Sequence, residues 1–106
     1  MVIKELIKKN EDEFGRLCEE HSVKTMFAFG SSVTGNFDAE KSDIDILVEI
    51  EEPDPVERGE KLISLWDKLE AFFNRKVDLL SNPIIRNPFL RQSIENSKVL
   101  IYGSAK

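Results

Sequence analysis

Hydrophobic positions in the first twenty residues recur at helical spacing, with Ile3, Leu6 and Ile7 followed by Phe14, Leu17 and Cys18. Asn10 and Glu13, three residues apart, have the spacing of a capping box, which predicts two short helices or one broken helix. His21-Ser22 ends this region, and His21 reads as a solvent-exposed residue at a helix C-terminus. Thr25-Met-Phe-Ala-Phe29 is a compact apolar run and predicts a buried strand. From Gly30 to Ser42 the chain holds two glycines, three serines and an asparagine, the composition of a loop with at most one helical turn.

Asp43 to Ile50 then alternates. Ile44, Ile46, Val48 and Ile50 point one way along a strand, and Asp43, Asp45, Leu47 and Glu49 the other. Asp54, Pro55 and Glu57 form a helix start, with a capping aspartate, a proline suited to the first helical position and a glutamate completing the box. Leu62, Leu65, Trp66, Leu69, Phe72 and Phe73 follow as an apolar stripe, which places Trp66 in the core. Arg75 to Leu80 reads as a short strand in which Asp78 faces away from Val77 and Leu79. Asn87-Pro88 opens a last helix through about Asn96, with Leu90 and Ile94 inward. Val99 to Tyr102 fits either an edge strand or a packed tail. The order α-β-β-α-β-α describes a mixed α/β fold, a single small domain over residues 1–106.

Composition narrows the class. The 106 residues leave room for one sheet and a few helices, and not for a second domain that would bind a substrate. No apolar run approaches the roughly 20 residues of a membrane span. The N-terminus is charged from Lys4 onward and lacks the apolar region of an export signal, so a cytoplasmic protein is expected. The lone cysteine, Cys18, cannot build a disulfide framework and reads as a small buried hydrophobe. The formal net charge of −5 argues against nonspecific nucleic-acid binding through a basic surface. A polyanion such as ATP would therefore arrive with metal ions that reverse the local charge.

The chemistry concentrates in three aspartates. Asp43 and Asp45 share one face of a strand, roughly 6.5 Å apart, and two like charges at that spacing gain nothing for folding. A cation between them would explain the pair, and hard carboxylate oxygens suit Mg²⁺. If the Asp78 strand lies beside theirs, about 4.8 Å away, three carboxylates converge. Such a patch can hold two metals for in-line displacement at phosphorus. On spacing alone, Asp78 fits equally well as an exposed partner of Arg75 or Lys76. Gly30-Ser31 directly follows the first strand, where a glycine lets backbone N–H groups approach phosphate and a serine adds a donor.

Taken together, Phe29-Gly-Ser-Ser-Val-Thr-Gly35 and Lys41-Ser-Asp-Ile-Asp-Ile-Leu-Val48 resemble the signature of the DNA polymerase β nucleotidyltransferase superfamily. The short chain resembles its minimal nucleotidyltransferase branch, which includes MntA-like antitoxins. The resemblance covers about residues 24 to 80 and implies a polymerase-β-like fold, a mixed sheet with helices packed on one face. It implies catalytic and metal-binding roles for Asp43, Asp45 and Asp78, two Mg²⁺ ions, and contacts to the nucleotide from Gly30, Ser31 and Ser42. The implied reaction moves a nucleoside monophosphate, AMP from ATP, onto a hydroxyl with release of pyrophosphate. By the same resemblance the acceptor is a tyrosine of a HEPN-type toxin.

The chain departs from the family pattern at Ser32-Val33-Thr34, where many members carry basic residues that can pair with phosphate. Lys41 or another chain would then have to replace them. That departure keeps open a non-catalytic module that neutralises a partner by covering it, and a metal-binding fold without a nucleotide. Glu51 and Glu52 read as a solvated acidic edge, while Glu49 shares the aspartates' face.

Overall fold

The computed structural model describes residues 2–30, 43–81 and 88–103. The chain runs through α1 (Val2–Lys9), α2 (Glu11–Glu20), β1 (Val23–Phe29), β2 (Ile44–Ile50), α3 (Pro55–Phe73), β3 (Val77–Ser81), α4 (Pro88–Ser97) and β4 (Val99–Gly103). The sheet order is β3-β2-β1-β4. β1 pairs antiparallel with both β2 and β4, whereas β2 and β3, joined through α3, run parallel. The mixed α/β fold read from the sequence is the one observed, and Val99–Gly103 is an edge strand rather than a tail.

The alternation in β2 splits the sheet into two faces. Ile44, Ile46, Val48 and Ile50 join Met26, Ala28, Val77 and Leu79 in a main core with Ile3, Phe14, Leu17, Leu65, Leu69 and Phe73 from α1, α2 and α3. Phe14 ties this layer together, its ring 5.5 Å from that of Phe72 and 6.3 Å from that of Tyr102. On the other face Phe29 and Leu47 meet Ile94 of α4 in a smaller cluster, with Phe27 and Leu80 packed against it. Three helices thus cover one face, and α4 adds a partial cover to the face that carries the aspartates.

Helix α3 begins as its sequence dictates. Asp54 accepts the Val56 N–H at 3.1 Å with Pro55 in the first turn, and Asn74 closes the helix in the left-handed conformation at φ 54°. The second half of the expected box is absent, because Glu52 and not Glu57 accepts the Asp54 N–H. Asn10 heads α2 without a side-chain capping bond, so that expected box does not form either. Glu52 is also no merely solvated edge residue. Lys61 donates to it at 2.7 Å, and that bond holds its carboxyl below the usual range.

His21 corrects a further expectation. It is buried at 4% exposure, its Nδ1–H donating to the Leu17 carbonyl at 2.7 Å while Nε2 accepts the Ser64 hydroxyl at 3.0 Å. A histidine at a helix end reads as exposed until α3, 43 residues away, supplies a partner that satisfies its second nitrogen.

Candidate functional site

The aspartates gather where β1 ends and where β2 and β3 begin. In the parallel register Ile44 pairs with Val77 and Asp45 with Asp78, so two carboxylates stand side by side on neighbouring strands. Residues paired in this way share a face about 4.8 Å apart. The bond from the Ile44 N–H to the Lys76 carbonyl, 3.0 Å, pins this end of the ladder. Asp43 precedes β2 by one residue, on the same side as Asp45. On its other flank Asp45 is the cross-strand partner of Phe29.

That setting explains the electrostatics. Burial against the Phe29 side of the sheet pushes the Asp45 carboxyl above its ordinary value, and the charges of Asp78 and Asp43 raise it further. The three groups feel one another through a partly desolvated edge, which favours whatever brings positive charge between them. Asp78 itself is exposed, and among the described residues no ion pair joins it to Arg75 or Lys76.

Gly30 is fitted to Asp45. It sits at φ +64°, and a Cβ there would stand 2.6 Å from Asp45 Oδ2, so only glycine lets the carboxylate lie against the end of β1. Its N–H donates to Ser97 Oγ at 3.4 Å, a contact the sequence does not announce because α4 lies 67 residues further on. Ser31 and Ser42, the other expected nucleotide contacts, lie outside the described residues, as do Lys41 and Ser32-Val33-Thr34.

Two residues of α3 were not foreseen as part of the site's support. Trp66 was expected in the core but is 37% exposed, and its Nε1–H donates to the Val77 carbonyl at 2.6 Å. Glu70, one turn on, accepts the Val77 N–H at 3.0 Å. Together they bind both backbone groups of the residue before Asp78 on an edge strand, where such groups would otherwise face water. The i, i+4 spacing of Trp66 and Glu70 is the signal that was available for this clamp.

Among the described residues no three His, Cys, Asp or Glu side chains are gathered closely enough to hold a metal ion as they stand. The donor set is nonetheless of the right chemistry, three carboxylates and no sulfur, as hard divalent cations require. Their shared face and mutual repulsion also fit a cation, which would draw the side chains together.

Residues 4–101 match a family model described as a nucleotidyltransferase domain. The chain belongs to the nucleotidyltransferase-domain family. A protein of Methanocaldococcus jannaschii named as a candidate protein adenylyltransferase is 38% identical over 99 residues, spanning 93% of this chain and 94% of that one. Among solved structures, a toxin–antitoxin crystal structure with AMP-PNP is similar at a TM-score of 0.64 and 25% identity, covering 91% of this chain and 75% of the other. A tri-AMPylated Shewanella oneidensis HEPN toxin in complex with an MNT antitoxin gives a TM-score of 0.55 at 23% identity, with 92% and 72% covered. At that identity the likeness concerns the fold alone. The nucleotidyltransferase resemblance drawn from the Gly-Ser and Asp-x-Asp motifs agrees with the family model and with the adenylyltransferase relative.

Proposed function

We propose that this chain is a Mg²⁺-dependent protein adenylyltransferase, moving AMP from ATP onto a hydroxyl, and that the acceptor is a tyrosine of a HEPN-type partner. The observation that carries this reading is the register that sets Asp45 beside Asp78 with Gly30 closed against Asp45. The candidate adenylyltransferase relative, the AMP-PNP complex and the AMPylated HEPN toxin support the choice of nucleotide and partner.

In this reading Asp43, Asp45 and Asp78 would hold the metal ions. Magnesium, when bound, supplies positive charge against the triphosphate and the departing pyrophosphate. The chain's own contribution is mainly placement. Gly30 and the serines Ser31 and Ser42 orient the phosphates. The acceptor hydroxyl oxygen forms a bond to the α-phosphorus as the bond to the bridging oxygen of the β-phosphate breaks. Asp78, exposed at the strand edge, would receive the hydroxyl proton. The acceptor itself comes from another molecule.

The test is incubation of the chain with Mg²⁺, the protein encoded by the adjacent gene, and ATP labelled at either the α- or the γ-phosphate. The α-label is expected on a tyrosine of the partner, and the γ-label in pyrophosphate. A tight complex with no α-label transferred would instead make the chain a module that neutralises its partner by covering it, the alternative raised by the absence of basic residues at Ser32-Val33-Thr34.

A further inference from the structure

We propose that the exposed apolar flank of α3, from Val56 to Trp66, is a docking surface for a basic amphipathic helix of another protein. The inward face of α3 is fully used, with Leu65, Leu69 and Phe73 buried in the main core. A flank roughly 100° round the helix from that buried face is apolar as well. Val56 is 67% exposed and Ile63 70%, and Trp66 shows 37% of its surface. At about 100° per residue, Val56, Gly59, Ile63 and Trp66 fall within roughly 80° of the helix circumference. Their spacing of three, four and three residues is that of the a and d positions of a heptad, the seam into which a second helix packs. Gly59 has open space where a Cβ would stand, so a facing side chain can approach the backbone there.

Charge selects the occupant. Glu60 and Asp67 border the stripe on its solvent side, and among the described residues neither takes part in an ion pair. Two cations of the same helix are directed elsewhere, Arg58 donating to the Glu52 carbonyl at 3.2 Å and Lys61 to Glu52 at 2.7 Å and to Ser22 at 2.9 Å. A second copy of this chain would set Glu60 and Asp67 against their own equivalents, in a molecule already carrying a net charge of −5. A helix whose apolar seam is flanked by lysine or arginine meets both requirements. The surface lies on the sheet face opposite the aspartates, and the proposal stands whether or not those aspartates bind nucleotide. Its Trp66 end touches the Val77 carbonyl, beside Asp78.

Trp66 is the chain's single tryptophan, so its emission reports its own surroundings at one end of this surface. The probe is a synthetic helical peptide with leucine at a and d and lysine at e and g. A saturable blue shift of Trp66 emission is expected. Binding should weaken about tenfold or more with Ile63→Glu, and likewise when the peptide's lysines are replaced by glutamates. Ile63 is exposed, so circular dichroism and melting of that variant should match the parent. Equal binding by Ile63→Glu, by the glutamate peptide or by a scrambled peptide of the same composition would overturn the proposal. So would a dimer in sedimentation velocity that Ile63→Glu dissociates, since the face would then belong to a second copy.

Discussion

At the scale of single residues, the site is built on a close contact between a glycine and a carboxylate. Gly30 was marked in the sequence for its position after the first strand, and the structure adds the reason for it, the 2.6 Å approach of a would-be Cβ to Asp45 Oδ2. Gly30→Ala combines a left-handed backbone with that clash, and should cost about 1–2 kcal/mol of stability while displacing Asp45. Denaturant unfolding measures the first effect, and Mg²⁺-ATP affinity the second. Cys18 offers a pH test elsewhere in the molecule. Burial, followed by the nearby charge of Glu19, pushes its thiol up from 9.0 to about 12. Above its ordinary value the unfolded thiol ionises while the folded one keeps its proton, so stability should fall as pH rises from about 9 towards 12. Cys18→Ala should flatten that part of the stability profile. In the native protein, labelling by a maleimide should proceed only through unfolding.

At the scale of elements, the clamp between α3 and β3 determines how firmly Asp78 is held. Trp66 and Glu70 satisfy both backbone groups of Val77, and each bond is worth roughly 1 kcal/mol net. Trp66→Phe should therefore lower stability by about that amount, and Glu70→Ala by about 1–2 kcal/mol, because it leaves an N–H without its acceptor. Amide exchange at Val77 and Asp78 should quicken in Glu70→Ala while β1 stays protected. Protection unchanged at β3 would show that the ladder with β2 alone fixes it.

The elements also show what the sequence could and could not convey. The alternation of Asp43 to Ile50 revealed the two faces of β2, because strand side chains have a strict period of two. The Asp54-Pro55 start of α3 was visible for the same kind of local reason. His21 and Ser97 were not legible, since each is placed by a partner far along the chain, Ser64 and Gly30, and Trp66 was misplaced because its indole reaches out to the backbone of Val77 in the next element. The Asn10 and Glu57 capping boxes had the right spacing but lost their donors to other geometry.

At the scale of the whole molecule, a sheet in the order β3-β2-β1-β4 places β2 at its centre, with the Gly30 end of β1 on one side and Asp78 on the other. The adjacency of Asp78 was inferred from the sequence, and the parallel β2–β3 pairing makes it a fact of register. The main core of three helices can hold the strands firmly enough to tolerate carboxylates that repel one another at their ends. That tolerance separates a functional from a structural reading of Asp45. Burial and like charges disfavour the ionised form of Asp45 in the fold, so removing its charge should leave the melting temperature in metal-free buffer undiminished.

Calorimetric titration of Mg²⁺-ATP into the parent chain, Asp45→Asn and Asp78→Asn, with melting temperatures recorded alongside, tests whether the three aspartates form one metal–nucleotide site. The parent should bind, and each variant should bind at least about tenfold more weakly while melting no lower than the parent. Equal affinity in all three, or a loss of binding that merely follows a loss of several degrees in melting temperature, would contradict the account.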